Sequence, residues 1–318
     1  MMDPIGLVGI GLMGTALARR LRTAGFPVVG FDTDPAKRCA LAEIGGQAAE
    51  SILSVGQACP VILIAVLTTD QVEQVVEGPG GLLSLPPTAE PRVALCFATC
   101  DPGRLAALAE RAERNGLILL DTPVSGTSEQ VLRGDSLGLI AGDAAAIARV
   151  ETVLDALVPR RFFIGPAGDG SKAKLAVNLV LGLNRLALAE GLVFAERLGL
   201  ELSAFLDVAR SSAAHSQIMD VKGDKMIAGD WAPHGKIAQH LKDVRIMLAE
   251  AERLGQQLPL GEVLADILQS CMEHGEGERD NCASIEEVRR RRMPAAQPQR
   301  AASGRDERVP PGSDDARA

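Results

Sequence analysis

Lys174 and Asn178 are the residues of this sequence best suited to acid–base chemistry. They are four residues apart, and this spacing places two side chains on the same face of a helix. The residues that follow, as far as Leu198, are largely apolar, so an unpaired amine would be costly to bury there. Desolvation lowers the pKa of a lysine, and such a lysine exchanges a proton near neutral pH. The same spacing is also typical of a structural lysine whose charged end reaches solvent.

A second group of small polar residues follows a predicted strand. Ser125 and Gly126 end the segment 121–126, whose sequence is DTPVSG. The carboxyl ends of the strands in an open α/β sheet face the ligand crevice. The Ser125 hydroxyl and the accessible backbone at Gly126 can donate hydrogen bonds to a carboxylate. An ordinary turn would have a similar sequence, so this segment alone allows both interpretations.

A glycine-rich hexamer lies close to the N-terminus. It matches the G-x-G-x-x-G pattern with Gly9, Ile10, Gly11, Leu12, Met13 and Gly14. The hexamer follows a predicted strand and opens a predicted helix, which is the context that dinucleotide binding requires. Gly9 permits a tight turn, Gly11 lets the backbone approach a pyrophosphate, and Gly14 allows close packing of helix on strand. A strand–helix turn without a ligand is the alternative.

Asp32 ends the second predicted strand, 18 residues after Gly14. An acidic side chain there accepts hydrogen bonds from the adenosine ribose and repels a 2′-phosphate. The sequence therefore favours NAD over NADP, while the nearby Lys37 and Arg38 keep NADP open as a cofactor. The second acid, Asp34, precedes a proline and is predicted to cap a helix.

These groups require an α/β domain to position them. Short apolar runs alternate with helical stretches, and strands are predicted at 5–8, 28–31, 61–66, 93–97 and 117–120. The alternation predicts a parallel sheet covered on both faces, which is a Rossmann-type doubly wound domain over residues 1–165. No strand pattern follows residue 170, so residues 166–293 are predicted to form an all-helical domain.

The helical domain is predicted to begin with one long helix, 172–198, that is buried nearly all round because apolar residues cover several of its faces. Further helices are predicted at 202–211, 240–254 and 260–274. The tail, 294–318, has almost no aliphatic side chains. Such a segment cannot bury enough surface to offset the entropy of ordering, so the tail is predicted to be disordered.

Composition argues against several classes of function. The chain of 318 residues has a net charge of −8 and only 3% aromatic residues, which disfavours nucleic-acid binding. No uninterrupted apolar run reaches the ~20 residues of a membrane span, and no secretory signal opens the sequence. We therefore expect a cytoplasmic protein with no membrane partner. The cysteines are scattered and the histidines lack ligand spacing, so no metal site is predicted.

Four segments together resemble the β-hydroxyacid dehydrogenase family, which includes 3-hydroxyisobutyrate dehydrogenase and tartronate semialdehyde reductase. They are GLVGIGLMGTALARRL, DTPVSG, GPAGDGSKAKLAVN and HLKDVRIMLAEAERLGQQLPL, and the resemblance covers roughly residues 4–293. It implies that Lys174 is the general acid and base of hydride transfer and that Asn178 binds the substrate. Ser125 and Gly126 would hold the substrate carboxylate, with Thr127 in place of the family's next glycine.

The resemblance also implies a cofactor-binding set outside the hexamer. Leu67, Thr68 and Thr99 would line the cofactor, and Lys242 would close over it from the helical domain. The implied substrate is a small carboxylate, namely a β-hydroxy acid that is interconverted with its semialdehyde or keto acid. The implied assembly is a homodimer or homotetramer.

Several departures from the family pattern, among them Gln130-Val131 and Cys96, leave the particular hydroxy acid open. Thr127 replaces a glycine, and His234-Gly235 stands where the family usually has a phenylalanine near the nicotinamide. The alternatives are an imine reductase of the same architecture and a catalytically inactive NAD(P)-binding regulator. Imine reductases generally replace the catalytic lysine, which this chain retains.

Overall fold

A twisted sheet with helices on both faces forms the first half of the computed structural model, which describes residues 2–292. Within that part of the chain the strands are β1 (Ile5–Val8), β2 (Val28–Phe31), β3 (Gln47–Ala48), β4 (Val61–Ile64), β5 (Arg92–Cys96), β6 (Leu117–Asp121), β7 (Val124–Ser125), β8 (Leu137–Ala141) and β9 (Arg160–Gly165). The five predicted strands are all present. The four that the sequence pattern missed are β3, β7, β8 and β9.

The strand order identifies a doubly wound sheet. It runs β3-β2-β1-β4-β5-β6-β8-β7, with β9 paired to β8. The first six strands are parallel, whereas β8 is antiparallel to β6 and β7. Because the order reverses between β1 and β4, the carboxyl ends of these strands open a crevice for a ligand. This is the predicted Rossmann-type sheet, extended at one edge by β7, β8 and β9.

Eight helices of the described chain connect or cover the strands. They are α1 (Leu12–Thr23), α2 (Pro35–Glu43), α3 (Ile52–Ala58), α4 (Thr69–Glu77), α5 (Pro102–Arg114), α6 (Ser128–Arg133), α7 (Ala144–Arg149) and α8 (Glu151–Leu157). Short polar side chains begin several of them. The predicted cap at Asp34 is confirmed, since its Oδ1 accepts a hydrogen bond of 2.9 Å from the Ala36 N–H.

The second half, as far as residue 292, contains six helices and no further strand of the sheet. They are α9 (Asp169–Arg197), α10 (Leu202–Ser211), α11 (Gln217–Ala228), α12 (Ile237–Arg253), α13 (Pro259–Glu273) and α14 (Ser284–Arg290). The sequence pattern missed α11 and placed the start of α12 three residues late. The tail 294–318, which is predicted to be disordered, lies outside the described residues.

Helix α9 joins the two halves and is anchored to the sheet by Asp121, the last residue of β6. The Asp121 carboxylate accepts hydrogen bonds from the Ser171 N–H at 2.6 Å and from the Ser171 hydroxyl at 3.0 Å. A carboxylate at a helix N-terminus satisfies free N–H groups and complements the helix dipole. This buried contact therefore determines where α9 begins relative to the carboxyl ends of the strands.

The prediction that α9 is buried nearly all round is wrong. Helices α10 to α14 pack on one side of it, while Val180 and Phe194 on another side are 60% and 65% exposed. Val177 and Leu198 extend the same exposed stripe. An apolar stripe has the same sequence pattern whether it is covered by this chain or not. The predicted dimer or tetramer, in which such a stripe would be covered, stays a prediction.

Helix α9 is also the one described helix that is long and apolar enough to cross a membrane by length and composition. The sequence pattern did not indicate this, because polar residues interrupt the apolar run without lowering its mean hydropathy much. Three of these, Lys174, Asn178 and Arg185, are buried in the protein. A helix at the centre of a helical domain can have the same length and apolar composition as a membrane-spanning helix.

Candidate active site

A large cleft lies between the carboxyl ends of the parallel strands and the helical domain. Its volume is about 1180 Å³, and both halves of the chain contribute to its walls. Pockets for a single small ligand usually have about 300–1,000 Å³. The cleft therefore has room for an extended ligand such as a dinucleotide together with a small substrate.

The glycine-rich hexamer forms one end of the cleft and fits a pyrophosphate. Gly9 has a φ of +93°, which favours glycine, and Gly11 lines the cleft with no atom within 4 Å of where a Cβ would be. No side chain caps the N-terminus of α1, so its first N–H groups face open space. Gly14 has a packing role, because a Cβ there would lie 2.0 Å from the Gly9 carbonyl oxygen.

The other residues of the hexamer divide between cleft and core. Leu12 and Met13 line the cleft, whereas Ile10 is buried in the core of the sheet. The Ile10 N–H nevertheless contributes to the site, because it donates a hydrogen bond of 2.7 Å to Asp32 Oδ2. This bond holds the acidic side chain against the glycine loop.

Asp32 lines the cleft at the end of β2, where a ribose would be placed. Its Oδ1 accepts a hydrogen bond of 3.0 Å from the Asp34 N–H, so both carboxylate oxygens are held by the backbone. Each oxygen can accept a further hydrogen bond from a hydroxyl group. The Lys37 Nζ lies 3.7 Å from Oδ2 and brings positive charge to the same place.

Lys242 connects the helical domain to two loops of the sheet. From α12 its Nζ donates hydrogen bonds to the carbonyl oxygens of Leu67 at 3.0 Å and of Thr99 at 2.9 Å. Leu67 and Thr99 both line the cleft, but Thr68 does not. The Thr68 hydroxyl instead caps α4 by accepting a hydrogen bond of 3.2 Å from the Gln71 N–H, so the structure gives it a role in the helix.

Ser125, Gly126 and Thr127 lie together in the cleft wall, between β7 and α6. Gly126 has a φ of +149°, and a Cβ there would lie 3.0 Å from the Ser136 side chain. Thr127 also caps α6, because its hydroxyl oxygen accepts a hydrogen bond of 3.2 Å from the Gln130 N–H. The three residues thus form a defined turn in the cleft wall, in which the polar groups of Thr127 are used by the cap of α6.

Lys174 lies in the wall of the same cleft, in the second turn of α9. The side chain lines the cleft although the residue is only 8% exposed, and its Nζ makes no hydrogen bond to any residue of 2–292. Burial lowers the pKa of Lys174 to about 8; the charge of Asp243 opposes this shift, while Lys242 and Arg185 add to it. The amine can therefore exchange a proton close to neutral pH.

Asp243 is the main functional residue that the sequence pattern did not single out. It is buried on α12, where it accepts a hydrogen bond of 3.3 Å from the Asn178 Nδ2 and lies 2.8 Å from the Lys242 Nζ. It therefore orients the amide beside Lys174 and supplies negative charge near the buried amine. In the sequence, the only local indication that Asp243 is functional was its position directly after Lys242.

Two further polar residues of the cleft wall, Arg185 and His240, were missed, whereas His234 was singled out near the expected nicotinamide position. Arg185 and His240 are buried there, and His234 is half-buried with its Nε2 at 3.1 Å from Glu129 of α6. Burial lowers the pKa of His240 well below its usual value, and the positive charges of Arg185 and Lys174 lower it further, so this imidazole stays neutral. The eleven-residue spacing from Lys174 could have indicated Arg185, whereas His240, two residues before Lys242, is not on the Lys242 face of α12 and had no such signal.

Comparison with known protein families assigns both halves of the chain. The model for the NAD binding domain of 6-phosphogluconate dehydrogenase matches residues 4–165, and the model for the NAD-binding domain of NADP-dependent 3-hydroxyisobutyrate dehydrogenase matches residues 168–288. An L-threonate dehydrogenase from Cupriavidus necator is 31% identical over 88% of this chain and 94% of that protein. The chain belongs to the β-hydroxyacid dehydrogenase family. It is an NAD(P)-dependent hydroxyacid dehydrogenase.

Solved structures agree with this assignment. The crystal structure of a 3-hydroxyisobutyrate dehydrogenase from Salmonella typhimurium has a TM-score of 0.81 and 27% identity, and the match covers 90% of this dehydrogenase and 99% of that chain. An imine reductase from a Pseudomonas species matches less well, with a TM-score of 0.62 and 19% identity over 91% and 100% of the two chains. That second similarity concerns the fold alone.

Because Gly11 and Gly14 have different roles, a methyl group added at one position should have a different effect from a methyl group added at the other. Gly11→Ala points into the open cleft, so we expect unchanged thermal stability and cofactor binding weakened by about tenfold or more. Gly14→Ala overpacks α1 against the Gly9 carbonyl and should cost about 1–3 kcal/mol of stability. Thermal melting and NADH fluorescence titration measure both effects. Cofactor binding by Gly11→Ala at the wild-type level would contradict this assignment.

Proposed function

We propose that this dehydrogenase interconverts a small β-hydroxy acid with its semialdehyde or keto acid, and that Lys174 is the general acid and base. The observation that supports this is a nearly buried amine with a pKa of about 8 in the wall of the cleft. A general acid or base works best when its pKa is near the operating pH. The nicotinamide ring, when bound, accepts or donates the hydride.

The other residues of the cleft have roles that follow from their contacts. Ser125 and the backbone at Gly126 hold the substrate carboxylate, as polar groups of a turn at the carboxyl ends of the strands. Asn178, oriented by Asp243, binds the hydroxyl or carbonyl oxygen that reacts. In oxidation Lys174 takes the hydroxyl proton, and in reduction its ammonium form returns a proton to the carbonyl oxygen.

The retained lysine separates this proposal from an imine reductase, and turnover separates it from an inactive regulator. An imine reductase of the same architecture has no need of Lys174, and similarity to such enzymes is limited to the fold. A catalytically inactive regulator would bind NADH without turnover. A screen of hydroxy acids and semialdehydes, with cyclic imines in parallel, distinguishes the three functions. Each function predicts a different set of compounds that consume or form NADH.

Replacement of the amine should remove turnover and spare cofactor binding. We expect Lys174→Ala to lower kcat by about 10²–10⁴-fold, because proton transfer loses its donor and acceptor. The Kd for NADH, measured by fluorescence, should change by less than about threefold, since the glycine loop and Asp32 bind at a different part of the cleft.

Lys172→Ala is the matched control for this variant. Lys172 belongs to the same helix but is exposed and paired with Asp169 at 2.7 Å. It should keep wild-type turnover. A Lys174→Ala enzyme with a kcat close to that of Lys172→Ala would rule out the proposed role.

The pKa of Lys174 predicts opposite pH profiles for the two directions. Oxidation requires the neutral amine, so kcat/KM should rise with pH and level off above about pH 8. Reduction requires the ammonium form, so kcat/KM should be constant below about pH 8 and fall above it. Initial rates from about pH 6 to about pH 10 test this, and parallel profiles for both directions would refute the assignment.

The position of Asp32 predicts a preference for NAD. Its carboxylate is held by two backbone N–H groups at the ribose end of the cleft and would repel a 2′-phosphate. Lys37 reduces that repulsion, so we expect a ratio of about tenfold in kcat/KM, not an exclusive choice. Steady-state rates with each cofactor measure the ratio. A preference for NADP would show that Lys37 outweighs Asp32.

A further inference from the structure

Arg185 is a buried charged side chain that the proposed mechanism does not use. It lies on α9, eleven residues after Lys174, and therefore on the same face of the helix about three turns away. The residue is 3% exposed and lines the cleft. Its Nε is buried without a hydrogen-bond partner, and none of its guanidinium nitrogens donates to a residue of 2–292.

Asp280, the carboxylate whose charge acts on Arg185, already has other partners. Both oxygens of Asp280 accept hydrogen bonds of 2.8 Å from the buried Lys222 Nζ. Asp280 also accepts from the His234 N–H at 2.7 Å and from the Cys282 N–H at 3.0 Å. Since Lys222 neutralises Asp280, the charge of Arg185 has no counterion of its own.

The charge of the carboxylate nearer to Lys174 is also neutralised by another lysine. Asp243 lies 2.8 Å from the Lys242 Nζ and accepts a hydrogen bond from Asn178. Arg185 and Lys174 are therefore two buried cations in one cleft wall, and the carboxylates near them are neutralised by other lysines. A buried guanidinium that lacks a partner is costly, whereas a carboxylate can pair with it through two parallel hydrogen bonds.

Three more polar atoms of the cleft wall lack hydrogen-bond partners. His240 Nε2, Asn281 Oδ1 and Asp243 Oδ1 are buried without a hydrogen bond to the described chain, and all three residues line the cleft; the charge of Asp243 is compensated by the Lys242 Nζ at 2.8 Å. Native proteins satisfy nearly all such atoms, so several together in the wall of one cleft indicate a polar ligand. The Asn281 oxygen suits a hydroxyl donor, and the neutral imidazole of His240 can donate or accept.

We propose that Arg185 binds a second carboxylate of the substrate, so that the preferred substrate class is a β-hydroxy acid with a carboxylate on its side arm. This inference rests on the proposed function, in which the first carboxylate lies on Ser125 and Gly126 and the reacting oxygen faces Lys174. Arg185 lies about three turns after Lys174 on the same face of α9, and its positive charge contributes to the lowered pKa of both Lys174 and His240, so the guanidinium is within electrostatic range of the Lys174 end of the cleft. Arg185 is thus a specificity-determining residue.

The test compares pairs of substrates of equal length that differ in one charge. 2-(Hydroxymethyl)succinate has the second carboxylate, and 2-(hydroxymethyl)butanoate has a methyl group in its place; the next homologues of each form a second pair. We expect wild-type kcat/KM to favour the dicarboxylate by about tenfold or more in at least one pair. In Arg185→Met that ratio should collapse to about one or below, and Arg185→Lys should keep part of it.

Arg197→Met is the matched control, because it removes one arginine from the same helix at an exposed position. It should keep the wild-type ratio. A wild-type enzyme that does not prefer the dicarboxylate in either pair, or an Arg185→Met variant that loses activity on both substrates by the same factor, would overturn the proposal. Thermal melting of each variant separates a loss of ratio from a loss of folded protein.

Binding measurements distinguish this proposal from the proposed function. Calorimetric titration with the same four compounds in the presence of NADH does not require turnover. If the wild type binds the dicarboxylate more tightly and Arg185→Met does not, Arg185 binds the second carboxylate even if no oxidation occurs, and only the proposed reaction has failed. Equal binding of both members of each pair would refute the role of Arg185 whether or not the enzyme turns over.

Discussion

The burial of one amine is the constraint on which the rest of the site depends. Lys174 is almost without solvent contact, and burial is the largest cause that brings its pKa down to about 8. The opposite charge of Asp243 limits the shift, so the amine can still be protonated near neutral pH. Asp243 is in turn held by Asn178 and Lys242. The Asp243 carboxylate therefore acts both on the proton donor, Lys174, and on Asn178, which orients the reacting oxygen.

Two contacts between the halves of the chain place that amine opposite the cofactor loops. The Asp121 carboxylate holds the first turn of α9 against β6, and burial raises the pKa of Asp121 to about 6 although hydrogen bonds from Ser171 oppose the shift. On the other wall Lys242 holds the carbonyl oxygens of Leu67 and Thr99. The distance between a reacting carbon and Lys174 therefore depends on both contacts, one at each wall of the cleft.

Local patterns allowed much of the sheet and the cofactor end to be predicted. The hexamer and the cap at Asp34 depend on neighbours close in sequence, and Asp32 is marked by its position at the end of a strand; the structure places all of them at the ends of β1 and β2. Strands β3 and β7 have only two residues each, too few to show a period. Thr68 follows β4 as a cleft residue would, but Gln71 three residues later makes it a helix cap.

The helical half was less predictable because its functional residues meet by packing between elements distant in sequence. Asp243 and His240 reach Lys174 from α12, and nothing near them in sequence shows which helix they will face. The exposed stripe of α9 was wrongly predicted to be buried, since Val180 and Phe194 are as apolar as the residues of the core. Arg185 interrupts the apolar pattern, which is a signal of a buried charge but does not show what that charge binds.

Direct titration of the Lys174 amine tests the central claim most directly. Lysine Cε resonances, observed by NMR in protein labelled at that carbon and assigned with Lys174→Ala, report the protonation of each amine without reference to turnover. We predict that the Lys174 resonance titrates with a pKa of about 8, whereas exposed lysines titrate near the usual 10.4. A Lys174 resonance that titrates with the exposed lysines would contradict the account, because the amine would then be solvated and would not be poised for proton exchange.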